Sequence, residues 1–108
     1  MNLKIVYDEN YEEVKDKVIN SLLVNFNINV KSVNKNEDIF IIFSDEYEKI
    51  SMYTKNLKKK DKVVIITKNL NCEYIMSLFD ISKNIIFSSK DSSVVANKII
   101  KIYETIKI

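Results

Sequence analysis

The spacing of apolar residues changes along the chain, and each change marks a new element. Leu3 to Tyr7 is a short run rich in Ile, Val and Tyr and predicts a first strand. Tyr11, Val14, Val18, Leu22 and Phe26 then recur at helical spacing, which predicts a helix over 11–26. Asn10 followed by Glu13 resembles a capping box at its start, and Glu12 and Glu13 sit at the positive end of the helix dipole. Residues 28–33 alternate apolar and polar side chains, as an edge strand wet on one face does.

Three further runs, Ile39 to Phe43, Val63 to Ile66 and Ile85 to Phe87, are apolar at every position. Such runs need both faces buried, which points to a parallel sheet covered by helices on each side. Helices are expected over 45–59, 72–81 and 92–106. Their inward positions are Tyr47, Ile50, Tyr53 or Thr54, and Leu57; then Ile75, Met76 and Phe79; then Val95, Ile99, Ile102 and Ile106. The expected order is therefore β-α-β-β-α-β-α-β-α. It describes a doubly wound α/β domain with a mostly parallel five-stranded sheet, helices on both faces and the second crossover helix missing.

One connection strains that order. Only residues 34–38 join the second and third strands, whereas a parallel crossover takes about a dozen residues or more. An antiparallel hairpin there would make the first half ferredoxin-like, βαββαβ. The doubly wound arrangement is favoured, because an open ferredoxin-like face does not call for strands apolar on both sides.

Composition narrows the chemistry more than the fold. At 108 residues, 46% hydrophobic and 30% charged, residues 1–108 suit a single domain that needs neither a disulfide nor a structural metal to fold. No proline, linker or repeat suggests a second unit. Cys72 is the sole cysteine and no cationic, apolar leader opens the chain, so a reducing cytoplasmic location is expected. The apolar runs fall far short of the roughly 20 residues that span a bilayer, so no membrane partner is expected. All seventeen basic residues are lysine. Without arginine the planar fork that reads guanine and grips phosphate is missing, and no nucleic-acid partner is expected.

The chain also has no histidine and no glycine. The first absence removes the Ser-His-Asp triad and imidazole-ligated metals; the second removes the Walker loop and the GxGxxG turn. Cys72 has nothing obvious to lower its pKa except a possible helix N-terminus. No catalytic residue is assigned, and the chain is not expected to be an enzyme.

In an open parallel sheet, ligands gather beyond the carboxyl ends of the strands. There the sequence places Asp8 and Glu9, Ser44 and Asp45, Thr67 and Lys68, and Ser88 to Lys90. Carboxylates from two strands, a hydroxyl from a third and an ammonium by the fourth could cradle Mg2+ and a phosphoryl group. The competing reading, which takes precedence, makes these groups helix caps and dipole partners: Asn10, Ser44, Asn71, and Asp91 or Ser92 as caps. Lys58, Lys59, Lys60 and Lys62 form a basic run read as a solvated helix end. Tyr47, Tyr53, Tyr74 and Tyr103 read as core-edge residues with wet hydroxyls, or as the rim of a partner interface.

The stretch from Lys4 to Asn10 resembles the first strand of a response-regulator receiver domain, where an acidic pair follows an apolar strand and holds magnesium. Val63 to Thr67 is similar to the receiver strand that ends in a phosphoryl-sensing Ser or Thr. The segment from Ile85 to Lys90, with the helix containing Val94, Val95, Ala96 and Ile99, resembles the last strand and helix, Lys90 standing near the usual lysine. The resemblance covers most of the chain and implies a receiver or flavodoxin-like fold. It implies a metal set of Asp8, Glu9 and Asp45, a phosphoacceptor at Asp45, and phosphoryl sensing by Thr67 and Lys90.

The departures are as specific as the matches. Tyr7 replaces the first acid, Phe43 stands where the phosphoacceptor should end its strand, and the proline after the lysine is missing. The leading expectation is a non-catalytic, receiver-like (pseudo-receiver) signalling module without a cofactor, acting through a protein partner or self-association. Alternatives are a phosphoacceptor receiver using Asp45 with Mg2+, and a structural subunit or N-terminal domain of a larger assembly.

Overall fold

The computed structural model of the protein describes residues 3–26, 39–55, 57 and 62–107. β1 (Leu3–Tyr7) leads through a single 3-10 turn (Glu9–Tyr11) into α1 (Glu12–Phe26). Then follow β2 (Ile39–Phe43), α2 (Tyr47–Thr54), β3 (Val63–Thr67), α3 (Cys72–Leu78), β4 (Ile85–Phe87) and α4 (Ser92–Lys107). The four strands form one sheet in the order β1-β2-β3-β4, and every pair is parallel. Leu3 lies opposite Ile39, Phe40 opposite Val63 and Ile65 opposite Ile85. The antiparallel pairs of a ferredoxin-like unit are absent among the described residues.

Every residue of β2 and β3 is buried, as their uninterrupted apolar runs require. Because successive side chains in a strand point to opposite faces, the sheet builds two cores. On one face Ile39, Ile41, Phe43, Val64 and Ile66 pack with Val18 and Leu22 of α1 and with Val95 and Ile99 of α4. On the other, Phe40, Ile42, Val63 and Ile65 meet Ile50 of α2 and Leu78 of α3. Each such side chain contributes roughly 1.5–3 kcal/mol on burial. The strands β1, β2 and β3 step the same way across the sheet, yet α1 and α2 lie on opposite faces. This change of face is compatible with a doubly wound fold.

The sheet has four strands among the described residues rather than five. The edge strand expected at 28–33 and the short connection at 34–38 lie outside the described residues. No helix among the described residues is long and apolar enough to cross a membrane.

Two helices are shorter than their apolar periodicity suggests. The helix expected over 45–59 begins only at Tyr47 and ends at Thr54. Glu46 is its N-cap, extended at φ −122° and ψ 122°, and the Asp45 side chain is drawn across to the loop after β3 instead of entering the helix's first turn. Lys58, Lys59 and Lys60 lie outside the described residues, and Lys62 directly precedes β3. The third helix stops at Leu78 rather than Ile81, closing with bonds from the Ile81 and Ser82 amides to the Leu78 carbonyl, each 2.9 Å. Asn10 is not the cap of the first helix. The chain turns earlier, where the Tyr11 amide donates to the Asp8 carbonyl at 2.8 Å.

Candidate functional site at the carboxyl ends of the strands

Where β1 and β2 end, their next residues exchange partners. The Asp8 amide donates to the Phe43 carbonyl at 2.9 Å, extending the ladder one residue past β1. Its buried carboxyl group accepts from the Ser44 hydroxyl on the neighbouring strand end. Tyr53 of α2 donates to the other carboxyl oxygen at 3.4 Å, and the Lys49 ammonium stands 3.8 Å from that same oxygen. Lys49 also pairs with Glu46 at 3.0 Å, and these two acids hold its ammonium above the usual lysine value, Glu46 most strongly.

Asp45 is the more heavily engaged acid. Its Oδ1 accepts from the Tyr11 hydroxyl at 2.6 Å, the Thr67 hydroxyl at 2.9 Å and the Lys68 amide at 2.7 Å. Asn69 adds a bond from its side-chain amide to the Asp45 carbonyl, 3.2 Å. One carboxylate thereby ties together the loops after β1, β2 and β3. Partial burial alone would push its pKa up; the hydrogen bonds from Tyr11, Lys68 and Thr67 outweigh that and leave it below the ordinary carboxylate value. Tyr11 shifts the other way. Its burial, reinforced by the Asp45 charge it faces, raises the phenol far above its ordinary value.

A second tyrosine completes the cluster from the far face. The Tyr74 hydroxyl lies 3.0 Å from Thr67 Oγ1 and 3.2 Å from the Ser44 carbonyl. Thr67 gives its own proton to Asp45, so the single Tyr74 proton is divided between these two oxygens. Tyr74 is set in place by Asn71, whose side chain accepts from the Tyr74 amide at 3.0 Å and caps α3. Asp91 caps α4 in the same way, accepting from the Ser93 amide at 3.0 Å and its hydroxyl at 2.6 Å.

The residues singled out in the sequence meet only in part. Asp45 and Thr67 are in direct contact, and Asp8 is one hydrogen bond away through Ser44. Glu9 is exposed on the 3-10 turn. Lys90 lines a cleft that it shares with Lys68. Among the described residues no group of three or more His, Cys, Asp or Glu side chains is placed to hold a metal ion. Ser44 does not cap α2; it bridges Asp8 and the Glu46 amide, the latter at 3.1 Å.

Family models, curated proteins and solved structures were compared with the chain, and none matches. The site therefore rests on its own geometry. Of its most telling members, Tyr11 reads in the sequence as an apolar helix position, and Tyr53 and Tyr74 as core-edge residues with wet hydroxyls or the rim of an interface. Their rings do pack against the two cores, while their hydroxyls reach the strand ends. Helical spacing places such a ring but says nothing of where its oxygen points. Tyr47 and Tyr103 likewise pack at the margins of the cores.

What this arrangement does chemically is hold the loops. Oδ1, accepting three hydrogen bonds, is a weak nucleophile, and Oδ2 takes none of the three.

Proposed function

We propose that the protein is a non-catalytic, receiver-like module that regulates or assembles through contact with protein. The observation that carries this reading is the state of Asp45, whose Oδ1 is taken up by Tyr11, Thr67 and the Lys68 amide. With that oxygen spent on tying loops, Asp45 suits a scaffold better than a phosphoacceptor. The absence among the described residues of an acidic group able to hold a metal supports the same reading.

The contact surface in this proposal is α4 with the marginal strand β4. Phe87 on β4 and Val94 on α4 are both exposed, and Phe79 at the end of α3 is 57% exposed. Large apolar side chains left in water beside a three-residue edge strand suit burial against a partner. The choice of this face follows the way receivers dimerise and is an analogy of fold.

The second reading, a working phosphoacceptor, draws on one contact, the 2.9 Å bond between Thr67 and Asp45. One experiment separates the two. Incubation with acetyl phosphate and Mg2+, followed by intact-mass measurement, is expected to leave the protein unmodified. A phosphoryl adduct that disappears in Asp45→Asn would replace the first reading with the second. The contact itself is tested by sedimentation and cross-linking, in which Phe87→Asp should weaken self-association or partner capture. A strictly monomeric chain that captures no partner leaves the interaction role without support.

A further inference from the structure

Beside the Asp45 cluster a cleft of about 560 Å3 opens between the first turns of α1 and the segment joining β4 to α4. It lies beyond the carboxyl ends of β3 and β4, where open parallel sheets take their ligands, and its size falls within the range of small-molecule sites. Lys17, Lys68 and Lys90 line it, against one carboxylate, Glu13. Glu13 is already paired with Lys17 at 3.1 Å. Lys68 and Lys90 form no ion pair among the described residues. The Lys68 ammonium rests 5.2 Å from the centre of the Tyr11 ring, a contact that positions the charge without cancelling it.

A second observation comes from the wall of the same cleft. Ser88 Oγ is the one buried side-chain polar atom among the described residues that has no hydrogen-bond partner. The Ser88 amide is already committed to the Thr67 carbonyl at 2.9 Å, so the hydroxyl alone is unsatisfied. A native buried polar atom without a partner calls for an explanation, and a bound ligand oxygen is one. The Asp91 carboxylate is turned to Ser93 as the cap of α4 and lines the neighbouring hollow rather than this cleft.

From two unmatched ammonium groups, an unsatisfied hydroxyl and a volume larger than an inorganic anion fills, we infer that this cleft binds a small phosphorylated organic molecule, a phosphomonoester. The dianion sits between Lys68 and Lys90, which act as point charges, and accepts from Ser88 once rotation about its χ1 turns the hydroxyl out of its buried position into the cleft. The organic part lies along Val14 and the aliphatic stems of the lysines. Such a site goes beyond the interaction role proposed above. It needs no reaction at Asp45, so either can fail without the other.

The test is an amide-resolved NMR titration of the intact 108-residue chain with glycerol 3-phosphate, with inorganic phosphate and with glycerol. Expected are saturable shifts at Lys68, Ser88, Ser89 and Lys90 with the ester, weaker binding of inorganic phosphate and none of glycerol. Lys90→Gln should weaken binding of the ester about tenfold, the loss of one good charged contact. Lys83→Gln, at the opposite end of β4, should leave it unchanged. Ser88→Ala should weaken it with the charge unaltered. Because Lys68 belongs to the Asp45 loop, Lys90→Gln is the decisive charge variant. Shifts that do not saturate, equal losses in Lys83→Gln and Lys90→Gln, or inorganic phosphate binding as tightly as the ester would overturn the inference.

Discussion

Tyr11 donates its hydroxyl to Asp45 Oδ1 across 2.6 Å, joining the turn after β1 to the loop after β2. The ring of Tyr11 is wholly buried and packs 6.0 Å from that of Phe43. Removing only the oxygen isolates the bond from the packing. Tyr11→Phe should cost about 1–2 kcal/mol, towards the lower end of the range for a bond to a charged acceptor because Thr67 and the Lys68 amide still serve Asp45. Urea unfolding should show a lower midpoint at unchanged slope. A midpoint equal to that of the parent protein would mean the bond is idle.

Acid should release the same tie. The Asp45 pKa is lowered on folding, so its contribution to stability is fully present above the ordinary value of 3.8 and is lost as pH falls through the lowered folded value. Stability measured against pH should therefore bend downward below about pH 4, and Asp45→Asn should flatten that limb. An identical acid limb in the variant would assign the loss to other carboxylates.

In alkali the sign reverses. The phenol of Tyr11 has its pKa raised, so its contribution is complete below the ordinary value of 10.0 and disappears as pH climbs towards the folded value. Deprotonation would set a buried phenolate against the Asp45 carboxylate. Circular dichroism should show the parent losing structure above pH 10 before Tyr11→Phe does. Simultaneous transitions would point to the other tyrosines, of which Tyr53 and Tyr74 are also shifted upward by burial.

The double-sided sheet makes a paired prediction. Ile41 and Ile42 are adjacent, fully buried, and belong to opposite cores. Replacing either by Ala should cost about 2–5 kcal/mol. A sheet covered on one face only would spare one of the two, so a cost confined to a single position in denaturant melts would contradict the layering.

Ser82 holds a different corner. Its hydroxyl donates to the Val63 carbonyl at 2.6 Å and accepts from the Asn84 amide at 3.0 Å, fixing the turn between α3 and β4 to the start of β3. Ser82→Ala leaves that carbonyl and amide without this partner and should cost about 1–3 kcal/mol. Amide exchange at Asn84 and Ile85 should accelerate with it, and protection unchanged at both would show that the turn does not depend on the hydroxyl.

The layers were legible because the signals were redundant. Ile39 to Phe43 and Val63 to Ile66 have no polar position to turn outward, so only burial on both sides satisfies them. Asp45 and Thr67 could be placed at one locus because parallel strands deliver their carboxyl ends to one edge. Helix ends were not legible to the same degree. Asp45 and Glu46 look like the first turn of a helix, but the loop after β3 offers Asp45 a hydroxyl and an amide at hydrogen-bond distance, and that long-range partner wins over local capping. The tyrosine hydroxyls were hidden for the same reason: a ring has a period along the chain, whereas its oxygen finds a partner 34 residues away.

With no glycine in the chain, the strand-end corners rely on hydroxyls and side-chain amides clamping the backbone: Ser44 on the Glu46 amide, Thr67 on the Asn69 amide and Asn71 on the Tyr74 amide. Loops are ordinarily where a protein's sequence wanders most freely. Here each corner depends on a particular short polar atom, so accepted changes should be exchanges among Ser, Thr, Asn and Asp. The rim of this sheet is consequently as exacting about its residues as the oily interior beneath it.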